Sequence, residues 1–332
     1  MRATAGRVLG VTGAGVLLAL GCALVALVSG EQPLDLGDAF TDGTTAHTIL
    51  VSLRLPRVFL AAMVGAALAA SGSMLQALLR NPLADPFVLG VSGGAALGAT
   101  IAIALGFSAS GAIGLSGASL FALVGAVVST GLVLAVGRSS RSEGSTGTLL
   151  AGVIFNAFAL AAIIFIKALV APDKLGEVLF WLAGSLGHES WSALTFSGAI
   201  VTLSLLVMFT LAPRINLLML GDDDAQSLGV DVRRTRRVLL LLASAAVSAA
   251  VALSGLVGFV GLLVPHLARL VLGADQRLSL PASALLGASF LMLADLAARL
   301  MFRVFHTEPP VGVITALLGG PLFLLLMMRR RA

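Results

Sequence analysis

Apolar stretches of about 20 residues recur along this 332-residue chain, each long enough to cross a hydrocarbon core of about 30 Å as one helix. That pattern constrains the fold more than any single motif does, because lipid offers the backbone no hydrogen-bonding partners. Composition agrees: 58% of residues are hydrophobic and 11% charged, with a mean hydropathy of +1.05, far from a soluble globular domain. No stretch is left for a separate soluble domain, so residues 1–332 read as one polytopic transmembrane domain.

The runs predict ten helices, near residues 8–29, 50–79, 87–106, 117–137, 147–170, 191–211, 236–256, 257–273, 280–303 and 311–328. The first follows Arg2 and Arg7 as a secretory signal would, but its length and the spans behind it favour an uncleaved helix. Cys22, the only cysteine, lies inside it, which excludes a disulfide framework and a thiolate metal site. With the N-terminus inside, the cytoplasmic segments collect most of the 21 basic residues, among them Arg80, Arg214, Arg233, Arg234, Arg236, Arg237 and Arg277. That asymmetry places both termini in the cytoplasm and accounts for the net charge of +5 without a nucleic-acid partner.

Shifting the chain by 183 positions aligns "LAASG" at 68–72 with "VALSG" at 251–255, Pro82 with Pro265, and "VLG" at 88–90 with "VLG" at 271–273. Helices two and seven run in opposite senses in this arrangement, so the echo reads either as an inverted repeat, as in transporters whose pathway lies between two halves, or as chance similarity among Ala, Gly, Leu and Val.

Three polar islands interrupt the apolar runs. In "ALLRNPLADPFVLGVSGG", residues 77–94, Pro82 and Pro86 remove backbone donors and end helix two beside Asn81 and Asp85. This reads either as a plain turn or as a constriction lining a pathway, since irregular backbone at membrane depth is tolerated where it is buried or lines a cavity. In "GDDDAQSLGVDVRRTRR", residues 221–237, an acidic start suits a helix N-terminus and Gly229 suits its stop. It is either a solvated loop or a short amphipathic helix that docks a cytoplasmic partner. In "LRLPRVF", Arg54 and Arg57 fall at the outer end of helix two, and Arg299 near the outer end of helix nine. These guanidiniums either snorkel at the interface or receive carboxylates. Asp295, four residues before Arg299, shares its helix face and is placed to neutralise it in part.

Lys167, Asn156, His266 and Arg269 are polar groups at membrane depth, expected in the bundle interior. The only lysines, Lys167 and Lys174, are not preceded by glycine, so no phosphate-cradling P-loop is present, and if transport is ATP-driven another polypeptide must hydrolyse the nucleotide. "GVSG" at 90–93 matches a short intramembrane serine protease signature, with Ser92 as nucleophile and His266 as base. A stand-alone secondary transporter or channel is the other alternative, and it would move solute without ATP or partner chains.

Taken together, "RLPR" at 54–57, "RNPLADPFVLGVSGGAALGA" at 80–99, "LLAGV" at 149–153, "GDDDAQSLGV" at 221–230, "GFVGLLVPHLARLVLG" at 258–273, "LADLAARL" at 293–300 and "EPPVGVITALLGGPLF" at 308–323 resemble the FecCD-type permeases. These are membrane subunits of bacterial ABC importers for iron-siderophore, haem and vitamin B12 uptake. The resemblance implies an all-α, ten-helix type II importer permease in the inner membrane, working as a homodimer or with a close paralogue. It implies a cytoplasmic ATPase dimer below, a periplasmic or lipid-anchored binding protein above, no enzymatic activity in this chain and no cofactor. Residue by residue, it implies binding-protein docking on Arg54, Arg57 and Arg299, and a cytoplasmic gate at Asn81 and Leu83 and at Ser145 and Thr146. It also implies ATPase coupling through 221–231, on Asp222, Asp223, Asp224, Ala225, Leu228 and Gly229. The expected cargo is a ferric siderophore-type chelate, with cobalamin or haem as the alternative. The chain departs from the family in "HTEPPVG", where Pro309 replaces a leucine.

Overall fold

The computed structural model describes residues 4–30, 35, 37–107, 114–139 and 145–329. Its apolar runs close their backbone bonds on themselves as helices. In order these are α1 (Ala5–Val28), α2 (Thr45–Leu78), α3 (Val91–Leu105), α4 (Gly117–Ser139), α5 (Ser145–Leu169), α6 (Pro172–Ala183), α7 (Trp191–Leu220), α8 (Asp222–Ser227), α9 (Val232–Ser254), α10 (Val260–Leu272), α11 (Gln276–Phe305) and α12 (Val311–Arg329). Among the described residues, seven helices are long and apolar enough to cross a membrane, and α3, α10 and α12 are shorter apolar ones. Each of the ten expected segments contains a helix.

Several boundaries differ from the sequence reading. α2 starts earlier, at Thr45, and passes through a π-type segment, Ile49–Arg54, immediately before Pro56. Proline has no N–H for the carbonyl four residues earlier, and the wider turn absorbs that loss. The expected helix 87–106 is instead a 3-10 turn, Pro86–Leu89, then Gly90 at φ 80°, then α3. α7 runs through Pro213 to Leu220 rather than stopping at residue 211. α6, unforeseen, occupies a segment that reads as an outer loop because Asp173, Lys174 and Glu177 interrupt its hydropathy.

α2 is the hub. Of the most apolar 18 residues in each span, 83% are buried in α2 and 11% in α1. α2 packs on α11 where backbones touch: a Cβ on Gly65 would lie 2.1 Å from the Gly287 carbonyl oxygen, and one on Gly287 2.3 Å from that of Gly65. Gly94 of α3 and Gly125 of α4 meet in the same way. Small residues give helices in lipid the close van der Waals contact that replaces a hydrophobic driving force.

The halves repeat in element order and in opposite sense. In each, a short third helix follows a non-helical turn, α3 after Gly90 and α10 after Phe259 (φ 67°). α2 runs from Arg54 towards Arg80, whereas α9 runs from Arg236, paired with Asp222 beside Arg80, to Ser254, whose carbonyl accepts from Ser185 N at 2.9 Å. The offset of 183 residues marks this repeat only loosely, since Pro82 lies in a loop and Pro265 inside α10.

Candidate functional site

Chemistry-bearing side chains gather at both ends of the bundle. At one end, α1 finishes with carbonyls that have no intrahelical donor and with the negative pole of its dipole. Three arginines answer it. Arg54 Nη1 donates to the Leu27 and Val28 carbonyls at 2.7 and 2.8 Å, Arg299 donates to those of Ala26 and Ser29 at 3.1 and 3.3 Å, and Arg303 donates to that of Gly30 at 2.6 Å. Asp295, fully buried, accepts from Arg299 Nε at 3.0 Å through one oxygen and from Arg57 Nε at 2.9 Å through the other. Arg57 also forms a two-pronged ion pair with Glu308.

The expected Asp295–Arg299 pair is therefore present, and Arg54 and Arg299, 6% and 7% exposed, turn inward rather than snorkelling. The physical reason is the unsatisfied end of α1, whose carbonyls offer closer acceptors than water does. A cavity of about 220 Å³ nevertheless reaches Arg54, Arg57, Arg299, His188 and Glu308. In this cluster, among the described residues, four guanidiniums face two carboxylates. Glu189, next to His188, is held up to about 7 by burial, well above its ordinary range.

At the other end, α2 stops at Leu78 and Arg80 adopts φ 49°. Asn81 Oδ1 accepts from Leu83 N at 2.9 Å, an Asx turn, and Asp85 Oδ1 accepts from Phe87 N at 2.8 Å to start the 3-10 turn. Burial pushes the Asp85 carboxyl above its usual range, against the lowering effect of that N–H. Asn156 of α5 fixes the loop from the side, donating to the Phe87 carbonyl at 3.0 Å and accepting from Gly93 N at 3.1 Å. Asn81 and Leu83 are left exposed. Ser145 and Thr146 open α5, and their side chains lie outside the described residues.

α8 lies beside this loop. Asp222, Asp223 and Asp224 form its first turn, favourably placed against the helix dipole, and all three are exposed. Ala225 is fully buried, Leu228 is 58% exposed, and Gly229 at φ 84° ends the helix in the left-handed conformation that glycine adopts without strain. Arg80 Nη2 donates to the Leu218 carbonyl at 2.9 Å and reaches Asp222 at 3.4 Å; Arg236 grips the same carboxylate at 2.8 and 3.0 Å. The 221–231 segment and the 79–90 loop are thus joined through one carboxylate.

Sequence reasoning missed Arg303, Glu308, Arg80 and Arg236 as members of these clusters. Arg303 stands four residues after Arg299, a spacing visible in the sequence; the others meet their partners across separations of 14 to 251 residues. Ser92 Oγ donates to the Phe87 carbonyl at 3.3 Å, and the His266 ring stands edge-on to Phe323 with centroids 6.0 Å apart, which gives the serine protease reading no support. No group of three or more His, Cys, Asp or Glu residues able to hold a metal occurs among the described residues.

The chain matches the FecCD transport family over residues 16–329. It is 40% identical over 316 residues to the hemin transport system permease protein HmuU of Yersinia pestis, covering 95% of this chain and 93% of that one. It is 41% identical to the cobalamin import system permease protein BtuC of Halobacterium salinarum (86% and 75% covered) and 38% identical to the Fe(3+) dicitrate transport system permease protein FecC of Escherichia coli (86% and 85%). Among solved structures it resembles an ABC transporter in an inward-facing conformation, with TM-score 0.86, 31% identity and 96% and 99% of the two chains covered. A match over nearly the whole length, on a fold that repeats in opposite sense, leaves one placement: the chain belongs to the FecCD transport family, as a multi-pass permease subunit of an ABC importer that is not itself an enzyme.

Proposed function

We propose that this permease carries a ferric siderophore-type chelate into the cytoplasm by ATP-driven alternating access, as half of a homodimer or of a close heterodimer. Both termini face the cytoplasm, and the ATPase dimer docks on residues 221–231. A periplasmic or lipid-anchored binding protein docks over Arg54, Arg57 and Arg299.

The observation that carries this reading is the carboxylate of Asp222, held by Arg80 of the gate loop and Arg236 of α9. A push on α8 reaches Asn81 and Leu83 through one ion pair, which is the linkage that nucleotide-driven gating requires. At the opposite end, a cavity of about 220 Å³ falls below the roughly 300–1,000 Å³ of small-molecule sites and suits one carboxylate side chain rather than the cargo. Glu308 occupies Arg57 in the absence of a partner, so a docking acid displaces it. The exposed apolar faces of α5 and α12, including Phe158, Phe165, Leu317 and Leu324, supply the surface for the second subunit and for lipid.

The relatives' names span Fe(3+) dicitrate, hemin and cobalamin, so haem is the second reading, favoured by the near full-length likeness to HmuU. Proteoliposomes holding the permease with its ATPase and binding protein decide the cargo. ATP-dependent uptake of a labelled ferric siderophore is expected. Uptake of haem or cobalamin alone replaces the cargo, and uptake by the permease without an ATPase overturns the importer mechanism.

A further inference from the structure

Three helices, α1, α7 and α11, enclose a cavity of about 620 Å³ near the end that carries Asn81. Its walls are apolar, with Ala5 and Leu9 from α1 and Phe209 from α7, and Leu9 is 73% exposed, so the cavity opens on the outer, lipid-facing surface. Two features set it apart from an ordinary crevice between helices.

The first is charge. Arg277 lines the cavity and is exposed, and among the described residues no carboxylate is paired with its guanidinium. The nearby Asp275 is engaged elsewhere, accepting from Asn216 Nδ2 at 2.7 Å and from the Arg277 backbone N–H at 3.0 Å.

The second is a pair of prolines. Pro213 of α7 and Pro281 of α11 both line the cavity inside their helices. Neither has an N–H for the carbonyl four residues earlier, which leaves the Phe209 and Arg277 carbonyls without their usual donors. The hydroxyls of Thr12 and Thr210 stand in the same lining. The cavity is therefore lined by a cation, by two residues whose carbonyls have lost their usual helical donors, and by an apolar trough.

We propose that this cavity is a site for an anionic glycerophospholipid whose headgroup carries hydroxyls, such as phosphatidylglycerol. The phosphate sits on Arg277, the headgroup hydroxyls donate to the freed carbonyls, and an acyl chain lies along α1. A zwitterionic choline headgroup offers a cation beside Arg277 and no donor to the carbonyls. Basic pockets between helices near a membrane surface commonly hold anionic headgroups. This inference depends on the chain being embedded in lipid and not on its cargo or coupling.

Purified permease in detergent, titrated with phosphatidylglycerol or phosphatidylcholine, tests it by native mass spectrometry and thermal denaturation. Phosphatidylglycerol is expected to remain bound and to raise Tm more than phosphatidylcholine does, and soluble glycerol phosphate is expected to leave Tm unchanged. Arg277→Gln, a change at an exposed position, should abolish that preference, and Thr12→Phe, which fills the trough, should lower occupancy for both lipids. Equal responses to the two lipids in the wild-type chain, or a preference that survives Arg277→Gln, would overturn the proposal. An equal response to glycerol phosphate would reassign the site to a free anion.

Discussion

Asp295 shows how much one carboxylate can organise. It is fully buried and divides its two oxygens between Arg57 and Arg299, so removing its charge leaves the buried Arg299 without a carboxylate and Arg57 with Glu308 alone. Asp295→Asn should therefore cost about 3–5 kcal/mol, the range for breaking one side of a buried pair, and lower Tm in a detergent melt. Glu308 predicts the opposite kind of result. Its side chain is 33% exposed, and if a docking acid displaces it from Arg57 as proposed, Glu308→Gln should tighten the binding protein several-fold with little loss of stability. Surface-immobilised binding protein would read this directly, and weaker docking would remove Glu308 from the role of displaceable occupant. At this scale the sequence revealed Asp295 and Arg299 because four residues separate them on one helix. It did not reveal Glu308, whose partner Arg57 is 251 residues away.

The proposed coupling belongs to elements. Because Asp222 joins α8 to the gate loop, Arg80→Ala should lower cargo moved per ATP hydrolysed at least several-fold in the assembled complex, with hydrolysis itself retained. Exchanging the charges, Arg80→Asp with Asp222→Arg, should restore part of the loss. The reading falls if transport per ATP is unchanged in Arg80→Ala. The loop before α7 predicts a pH effect. Glu189 binds its proton up to about 7 in the folded chain and releases it near its ordinary 4.5 when unfolded. Between those values the folded state holds the extra proton, so this group's contribution to stability falls as pH rises from about 4.5 to about 7. Melts at pH 5 and pH 8 should therefore differ less in Glu189→Gln than in the wild-type chain. The spans themselves were legible because 20-residue apolar runs need no tertiary information. α6 was not, because its charged residues mask a helix that rests against α3, where Lys174 Nζ donates to the Ala104 carbonyl at 3.0 Å. The extension of α7 past Pro213 was hidden for a related reason, since a proline reads as a helix end in sequence, whereas α7 continues through it at the loss of one backbone hydrogen bond.

Across the whole molecule, backbone contact at Gly65 and Gly287 joins α2 to α11 too closely for the two to slide independently. Gly65→Ala should cost about 1–3 kcal/mol through overpacking, measured as a lower Tm. Under the proposed mechanism, gating movements would fall to elements joined by side chains and turns, such as the Pro86–Leu89 turn and α8. α1 has little of its surface inside the bundle and looks dispensable by area alone. Yet the carbonyls at its end and just beyond it, from Ala26 to Gly30, are acceptors for Arg54, Arg299 and Arg303. A chain shortened by that first span would forfeit little contact but would take backbone acceptors from three guanidiniums at once, so the helix with the least buried area is tied by charge to the chemistry at that end of the protein.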